Sequence, residues 1–172
     1  DNQPAITNLT FTANKAAYGD DRASFPMTMQ LVEDQDNSHG KRVLTDKIYG
    51  ASGQRLPQPI RVALIDHYGQ VVISDNSSQG LIRTANETQT ALTGLTKVKA
   101  INGVFVFDNI IVSSTPGLIA SLSAETDAIN IDNARLRGQT EGYANQIEFS
   151  VDVRLCQREQ ALVRYQCVIC PE

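Results

Sequence analysis

Apolar and polar residues alternate along most of the chain, with the period of two that a β-strand shows when one of its faces is buried. The clearest case is Ile147–Val153, where every second residue is apolar. The same alternation runs through Ala5–Thr12, Met27–Leu31, Ile60–Ile65 and Leu118–Ala124. Each of these segments is predicted to be a half-buried strand with one face in water.

Shorter apolar runs predict five further strands: Val71–Ser74, Gly80–Thr84, Leu95–Ile101, Val104–Phe107 and Ile110–Ser113. Turn dipeptides such as Asn102-Gly103 and Pro116-Gly117 separate apolar runs, as in sheet meanders. The best helical candidate, Ala134–Gln139, is too short to be trusted, so no helix longer than two turns is expected. Roughly nine or ten short strands without a substantial helix predict an all-β fold of the sandwich class.

Two stretches resist assignment, Glu33–Pro59 and Glu125–Asn145, both rich in polar residues. They are long for structureless loops in a compact domain. They therefore either contain edge strands or form the surface on which the function depends.

Composition excludes several classes of partner. The 172 residues include 15 Lys+Arg against 19 Asp+Glu, without a basic run, so no nucleic-acid partner is expected. The longest apolar stretch, Val104–Val112, is interrupted by Asp108-Asn109, and no membrane insertion is expected. The polar start Asp1–Pro4, without Met, is what a processed secreted chain would show.

The three cysteines, Cys156, Cys167 and Cys170, all lie near the C-terminus. This distribution predicts two modules, a sandwich over 1–155 and the start of a Cys-rich extracellular segment over 156–172. A zinc or redox site at Cys167-x-x-Cys170 is disfavoured, because the only histidines, His39 and His67, lie far upstream. Disulfide bonding is favoured, and the odd count leaves one thiol needing a partner outside this chain.

Three sequons are competent acceptors for N-linked glycans: Asn8-Leu9-Thr10, Asn76-Ser77-Ser78 and Asn86-Glu87-Thr88. Together with the cysteine-rich tail they favour a secreted glycoprotein over a chain with ordinary polar turns. At least one of the three asparagines is expected to carry a glycan.

No nucleophile and base can be combined into a catalytic set, and no Gly-x-Ser-x-Gly elbow occurs, so no enzymatic activity is expected. Acidic clusters at Asp20-Asp21, Glu33–Asn37 and Asp127–Asn133 offer the oxygen ligands that calcium requires. None has the spacing of a known calcium loop, and solvated acidic turns are more common. Calcium is therefore only a minor alternative to the expectation of no metal and no cofactor.

The segment Ile60–Glu125 carries a family resemblance. It reads IRVALIDHYGQ, a spacer, Leu-x-Gly, then NGVFVFDNIIV and a Pro-Gly turn into an alternating strand. This pattern resembles the immunoglobulin-like repeats of large surface proteins, from bacterial invasin-type adhesins to giant extracellular proteins of protists. The tail Cys156-x-Arg-Glu followed by Cys167-x-x-Cys170-Pro is similar to the opening of a growth-factor-receptor-type cysteine-rich repeat. The chain lacks Trp and an internal cysteine pair, so it departs from antibody domains.

These features together predict an extracellular or cell-surface structural or adhesive module, which could build a glycosylated fibre by self-association. The alternative is a ligand- or glycan-binding, lectin-like module that works through Glu33–Pro59. We expect a Cys156–Cys167 disulfide, with Cys170 bonded outside this chain. Self-association is expected through the unconstrained Ala5–Thr12 strand. The likely edges of the sheets, Gly80–Thr84 and Ile110–Ser113, carry few charges and would receive it.

Overall fold

The structure is a computed structural model that describes residues 23–33, 47–85, 87–136, 138 and 141–170. The regular secondary structure of this part of the chain is almost entirely β, as predicted. In chain order the elements are β1 Pro26–Leu31, β2 Ile48–Ala51, β3 Ile60–Asp66, β4 Gln79–Thr84, β5 Ala91–Thr93, β6 Lys97–Lys99, β7 Val104–Phe107, β8 Ile111–Ser113, β9 Ile119–Thr126, α1 Ile131–Leu136, β10 Gln146–Arg154, β11 Gln160–Val163 and β12 Gln166–Ile169.

The strands form two larger sheets and two ribbons. The five-stranded sheet has the order β2-β10-β9-β4-β6, and the three-stranded sheet has the order β1-β3-β7. Strands β5 and β8 form one ribbon and β11 and β12 form the other. Neighbouring strands are antiparallel except β2 and β10, which are parallel. The five-stranded sheet thus ends at β2 on one side and at β6 on the other.

One hydrophobic core joins the two larger sheets. The three-stranded sheet contributes the inward residues of β3 and β7, and the five-stranded sheet contributes those of β4, β9 and β10. The fully or almost fully buried members are Val62, Leu64, Phe105, Phe107, Ile82, Ala120, Leu122, Ala124, Val151 and Val153. Alternation on β9 and β10 matches the predicted period of two, since their intervening residues face away from this core.

Gly80 on β4 lets the two sheets approach closely. A Cβ atom at this position would lie 2.7 Å from the ring of Phe105, which is fully buried on β7. The glycine therefore supplies the space that the aromatic ring of the opposite sheet fills.

Strand β3 differs from the prediction because both of its faces are covered. Ala63 and Ile65, on the face expected to be in water, are as buried as Val62 and Leu64 on the core face. Only Arg61 is partly exposed. The alternation rule did not indicate this because it assumes one exposed face. A strand that is buried on both faces has an almost continuous apolar run instead.

The side chain of Asp66 organises the turn after β3. Asp66 is buried, and its Oδ1 accepts hydrogen bonds from the backbone N–H groups of Tyr68 at 2.9 Å and Gln70 at 2.8 Å. Gly69 has a positive φ of 74°. A side-chain oxygen thus satisfies the turn amides that the sheet leaves unpaired.

Several other predictions are wrong. Val71–Ser74 does not form a strand; it contributes one bridge, between Ile65 and Val71. Leu118, the first residue of the strand predicted over Leu118–Ala124, lies outside β9 and is 58% exposed, since β9 begins one residue later and buries Ala120.

Neither predicted sheet edge is open. Gly80–Thr84, in β4, is bonded to β9 on one side and to β6 on the other. Ile110–Ser113 is bonded to β5, and its opposite side accepts the N–H groups of Gly53 and Leu56. The strand predicted over Ala5–Thr12 lies outside the described residues.

The two unassigned stretches do contain regular structure. Strand β2 lies within Glu33–Pro59, and helix α1 lies within Glu125–Asn145. The helix has six residues, consistent with the limit of two turns. Among the described residues, no helix is long and apolar enough to cross a bilayer.

Candidate functional site: the disulfide-linked hairpin

The C-terminal ribbon is a tight β-hairpin. Val163 pairs with Gln166, so Arg164 and Tyr165 form a two-residue loop. Both loop residues have positive φ, 48° and 65°. This is the conformation of a type I′ turn, which matches the twist of the flanking strands but which Asn and Gly adopt more readily than Arg and Tyr.

A disulfide ties this hairpin to the end of β10. The sulfur atoms of Cys156 and Cys167 are 2.09 Å apart, and their Cα atoms are 5.3 Å apart, within the usual range for a disulfide. This geometry fits the predicted pairing. Cys170 is exposed and has a free thiol. Its bonding to a cysteine outside this chain stays a prediction.

The hairpin contacts the rest of the protein at the corner that follows β2. The N–H of Cys167 donates to the carbonyl oxygen of Ser52 at 3.2 Å. The Ser52 hydroxyl also lies at hydrogen-bonding distance from the carbonyl oxygen of Tyr165. Gly53 has φ of 72°, and a Cβ there would collide with the side chain of Gln166. The corner thus needs a glycine both for its backbone conformation and for the hairpin to approach.

Ser52 is the centre of a buried polar cluster that supports this contact. Its Oγ accepts the N–H of Ser114 at 2.9 Å and is 2.6 Å from the carbonyl oxygen of Ser114. Thr90 Oγ1 donates to Ser114 Oγ at 3.1 Å, and that hydroxyl donates to the carbonyl oxygen of Gln89 at 3.1 Å. Because Ser52, Thr90 and Ser114 are all buried, each hydroxyl needs these partners.

Among the described residues, this corner and the disulfide are the main links between the hairpin and the rest of the protein. Strands β11 and β12 pack chiefly against each other and not against other strands. Large apolar side chains are nevertheless exposed along it: Leu162, Val163, Tyr165, Val168 and Ile169. Ile169 is 77% exposed. Several large apolar side chains exposed on one small element are a common mark of a protein–protein contact.

The hairpin and the β6 edge of the five-stranded sheet differ in charge. The edge strand β6 reads Lys-Val-Lys, and both lysines are exposed. Strands β11 and β12 read Gln-Ala-Leu-Val and Gln-Cys-Val-Ile, without a charge. Lysines on an edge strand oppose pairing with another chain, and uncharged edges permit it.

The sequence did not indicate this surface, because the cysteines predicted 156–172 only as the start of a disulfide-bonded segment. Two apolar segments flanking Arg164-Tyr165 were a possible signal for a two-residue hairpin, but Arg-Tyr is not a recognised turn pair. The Ser52 cluster carried no signal, because serines and threonines far apart in sequence become partners only through the fold.

Of the three sequons, only Asn76 lies in the described part of the chain. It is exposed, and its Oδ1 accepts the N–H of Asn102 at 2.9 Å. Its Nδ2 lies 3.4 Å from the carbonyl oxygen of Ser74, at the limit of a hydrogen bond. The nitrogen that would bear a glycan is therefore close to free. Asn8 and Asn86 lie outside the described residues.

The described residues bring no three His, Cys, Asp or Glu side chains together in a cluster that could hold a metal ion. Of the candidate calcium clusters, Asp20-Asp21 and most of Glu33–Asn37 lie outside the described residues. In the third, Asp127 Oδ1 accepts the N–H of Gln79 at 2.7 Å. Asp127 also lines a shallow groove of about 310 Å³, together with Leu81, Lys97, Glu125 and Asn145.

Comparison of the chain with protein-family models, with curated proteins and with solved structures finds no match.

Proposed function

We propose that this chain is a structural or adhesive module of an extracellular or cell-surface protein, with an immunoglobulin-like sandwich as its body, and that it associates with copies of itself. The observation that carries the proposal is the C-terminal hairpin, with its uncharged strands and exposed apolar side chains. A hairpin of this composition on an otherwise well-packed domain is suited to contact another protein.

The body suits a mechanical or spacing role. Its two sheets share one core, and close packing such as that between Gly80 and Phe105 resists deformation. The Cys156–Cys167 bond supports the extracellular assignment, since disulfides persist in oxidising compartments. The exposed position of Asn76 is compatible with an N-linked glycan on the folded protein.

The proposal is tested with the full chain secreted from a eukaryotic host. We expect assemblies larger than a monomer by sedimentation velocity at high concentration, and filaments or ordered oligomers by negative-stain electron microscopy. Intact mass should fall after treatment with an N-glycosidase. A protein that stays monomeric at every concentration would contradict self-association, and an unmodified mass would contradict the glycoprotein assignment.

A ligand-binding module is the second candidate, and the groove beside Asp127 is the observation that favours it. Lys97, Glu125 and Asn145 offer both donors and acceptors there, as recognition of sugar hydroxyls requires. This groove is not in Glu33–Pro59, where the sequence had suggested binding. Thermal stabilisation by a panel of glycans, lost in Glu125→Gln, would favour binding over assembly.

A further inference from the structure

We infer that strand β11 pairs antiparallel with β11 of a second copy of this chain, so that two hairpins form a four-stranded sheet across a two-fold axis. This inference rests on the proposed self-association and names the surface that mediates it. The β11 edge takes the place of the two predicted sheet edges, Gly80–Thr84 and Ile110–Ser113, because both of these are already hydrogen-bonded on either side.

The hydrogen-bonding pattern of the hairpin determines which backbone N–H and C=O groups of β11 point away from β12. The N–H of Cys170 donates to the carbonyl oxygen of Glu159 at 2.8 Å. In an antiparallel ladder the hydrogen-bonded positions alternate, so Ala161 and Val163 also direct their N–H and C=O groups toward β12. Gln160 and Leu162 then direct theirs away from β12, and the Gln160 N–H already donates to the carbonyl oxygen of Gln157 at 2.9 Å.

The two outer edges of the hairpin are not equivalent. On β12 the outward positions are Cys167 and Ile169, and the Cys167 N–H already donates to Ser52. That edge lies against the body of the protein. The β11 edge lies on the opposite side of the hairpin, so its Leu162 N–H and C=O are the groups best placed to bond a neighbouring strand.

Symmetry and charge select one register. Residues 160 and 162 carry the outward backbone groups. Each of them must therefore pair with an even-numbered residue of the second copy. A pairing centred on Ala161 would place Arg158 of each copy directly opposite Arg164 of the other, and opposed like charges destabilise a sheet. A pairing centred on Leu162 avoids this and places Arg164 opposite the neutral Gln160.

The Leu162-centred register also brings apolar residues of β11 from the two copies together. Leu162 faces its own symmetry mate, and Ala161 faces Val163 of the second copy on the other side of the sheet. The polar residues Arg158 and Glu159 remain at the rim. This apolar centre with a charged rim is the composition expected of a specific protein contact. It favours a second copy as the occupant because the two edges are complementary to each other.

A two-fold contact closes on itself, so this pairing makes a dimer and not a fibre. A filament would require a further contact through another surface. The dimer is thus the smallest assembly that the hairpin explains.

The decisive variant is Leu162→Pro, made with Cys170→Ser to exclude intermolecular disulfides. Proline removes the outward N–H of residue 162, while the ladder between β11 and β12 uses the other residues and should persist. By symmetry both hydrogen bonds of the central pair are lost. Sedimentation equilibrium should show the dimer weakened by about tenfold or more.

Leu162→Lys provides a second variant that keeps the backbone donor and places two positive charges together at the dimer axis. Leu95→Lys is the matched control, because Leu95 is 53% exposed and Leu162 is 50% exposed. Both Leu162 variants should be more monomeric than the Cys170→Ser parent, and Leu95→Lys should dimerise as the parent does.

The outcomes separate this inference from the proposed function. If the parent assembles and the Leu162 variants assemble equally well, the β11 interface is wrong and self-association through another surface stands. The same conclusion follows if Leu95→Lys weakens the dimer as much as Leu162→Lys. If the parent itself is monomeric at high concentration, self-association and the β11 interface both fail.

Discussion

The N–H of Cys167 donates to the carbonyl oxygen of Ser52 at 3.2 Å, so the hairpin is held by a hydrogen bond as well as by its disulfide. The two connections reach different parts of the protein. The disulfide joins the hairpin to the segment after β10, and Ser52 joins it to the corner after β2. The position of the hairpin therefore depends on the buried polar cluster around Ser52.

Replacing Ser52 by alanine should destabilise the protein by about 1–3 kcal/mol, because the buried N–H of Ser114 loses its acceptor. Hydrogen exchange should also become faster in the hairpin. Urea unfolding and amide exchange measure the two effects. Ser121→Ala, at an exposed position on β9, is the control and should change neither. Equal losses in both variants would contradict a special role for the Ser52 cluster.

Removing the disulfide should affect the hairpin and leave the sandwich folded. A disulfide that closes so short a loop contributes on the order of 3 kcal/mol, and here that contribution is local to the tail. In Cys156→Ser/Cys167→Ala, also carrying Cys170→Ser, we expect amide protection to be lost only within residues 157–170. The main thermal transition should remain near that of the Cys170→Ser parent. Loss of the main transition would show that the tail is part of the domain core.

Asp75 should titrate below an ordinary aspartate. Burial raises the pKa of this carboxyl, but the hydrogen bonds from Ser78 and Ser77 together lower the pKa by more than burial raises it. The net pKa lies below the usual 3.8. Because the folded pKa is depressed, Asp75 stabilises the fold above its unfolded pKa. That contribution is lost as the pH falls through the folded pKa.

Ser78→Ala should raise the pKa of Asp75 toward its usual value, measured by an NMR titration of the carboxyl carbon. Ser78→Thr keeps both the hydroxyl and the sequon, so its titration should resemble that of the wild type. An unchanged pKa in the alanine variant would show that the Ser78 hydroxyl is not a major cause.

Gly80→Ala tests the close approach of the two sheets. The added methyl group would lie 2.7 Å from the Phe105 ring, and overpacking of this kind costs about 1–3 kcal/mol. The double variant Gly80→Ala/Phe105→Leu should lose less stability than the sum of the single variants, since leucine makes room for the methyl group. Additive losses in denaturant unfolding would contradict the contact.

The all-β class could be predicted from the sequence because alternation on β9 and β10 reflects one buried and one exposed face. The same rule failed on β3, where Ala63 and Ile65 are buried on the outer face as well. It also failed to locate the sheet edges. Strand β4 has few charges, yet it lies between β9 and β6, because neighbours in a sheet are set by long-range topology and not by local composition.

The candidate site was predictable only in part. The cysteine distribution predicted a disulfide-bonded tail, and the predicted Cys156–Cys167 pair is the one that the structure contains, although Cys170 lies nearer to Cys167 in sequence. The exposed edge of β11 could not be predicted, because whether Leu162 is a core or a surface residue depends on how much of the protein packs on the hairpin. Arg164 and Tyr165 also concealed the turn, since they adopt positive φ without being glycine or asparagine.

The lysines of β6 have a consequence for how many copies can be brought together. Continuing the five-stranded sheet through this edge into a second copy would gather four ammonium groups from Lys97 and Lys99 along one seam. Their mutual repulsion is weakened by salt, with a screening length of about 8 Å at physiological ionic strength. Crowded solutions of this protein should therefore stay clear at low ionic strength, and lateral sheet-to-sheet aggregation should begin at this edge when salt is raised.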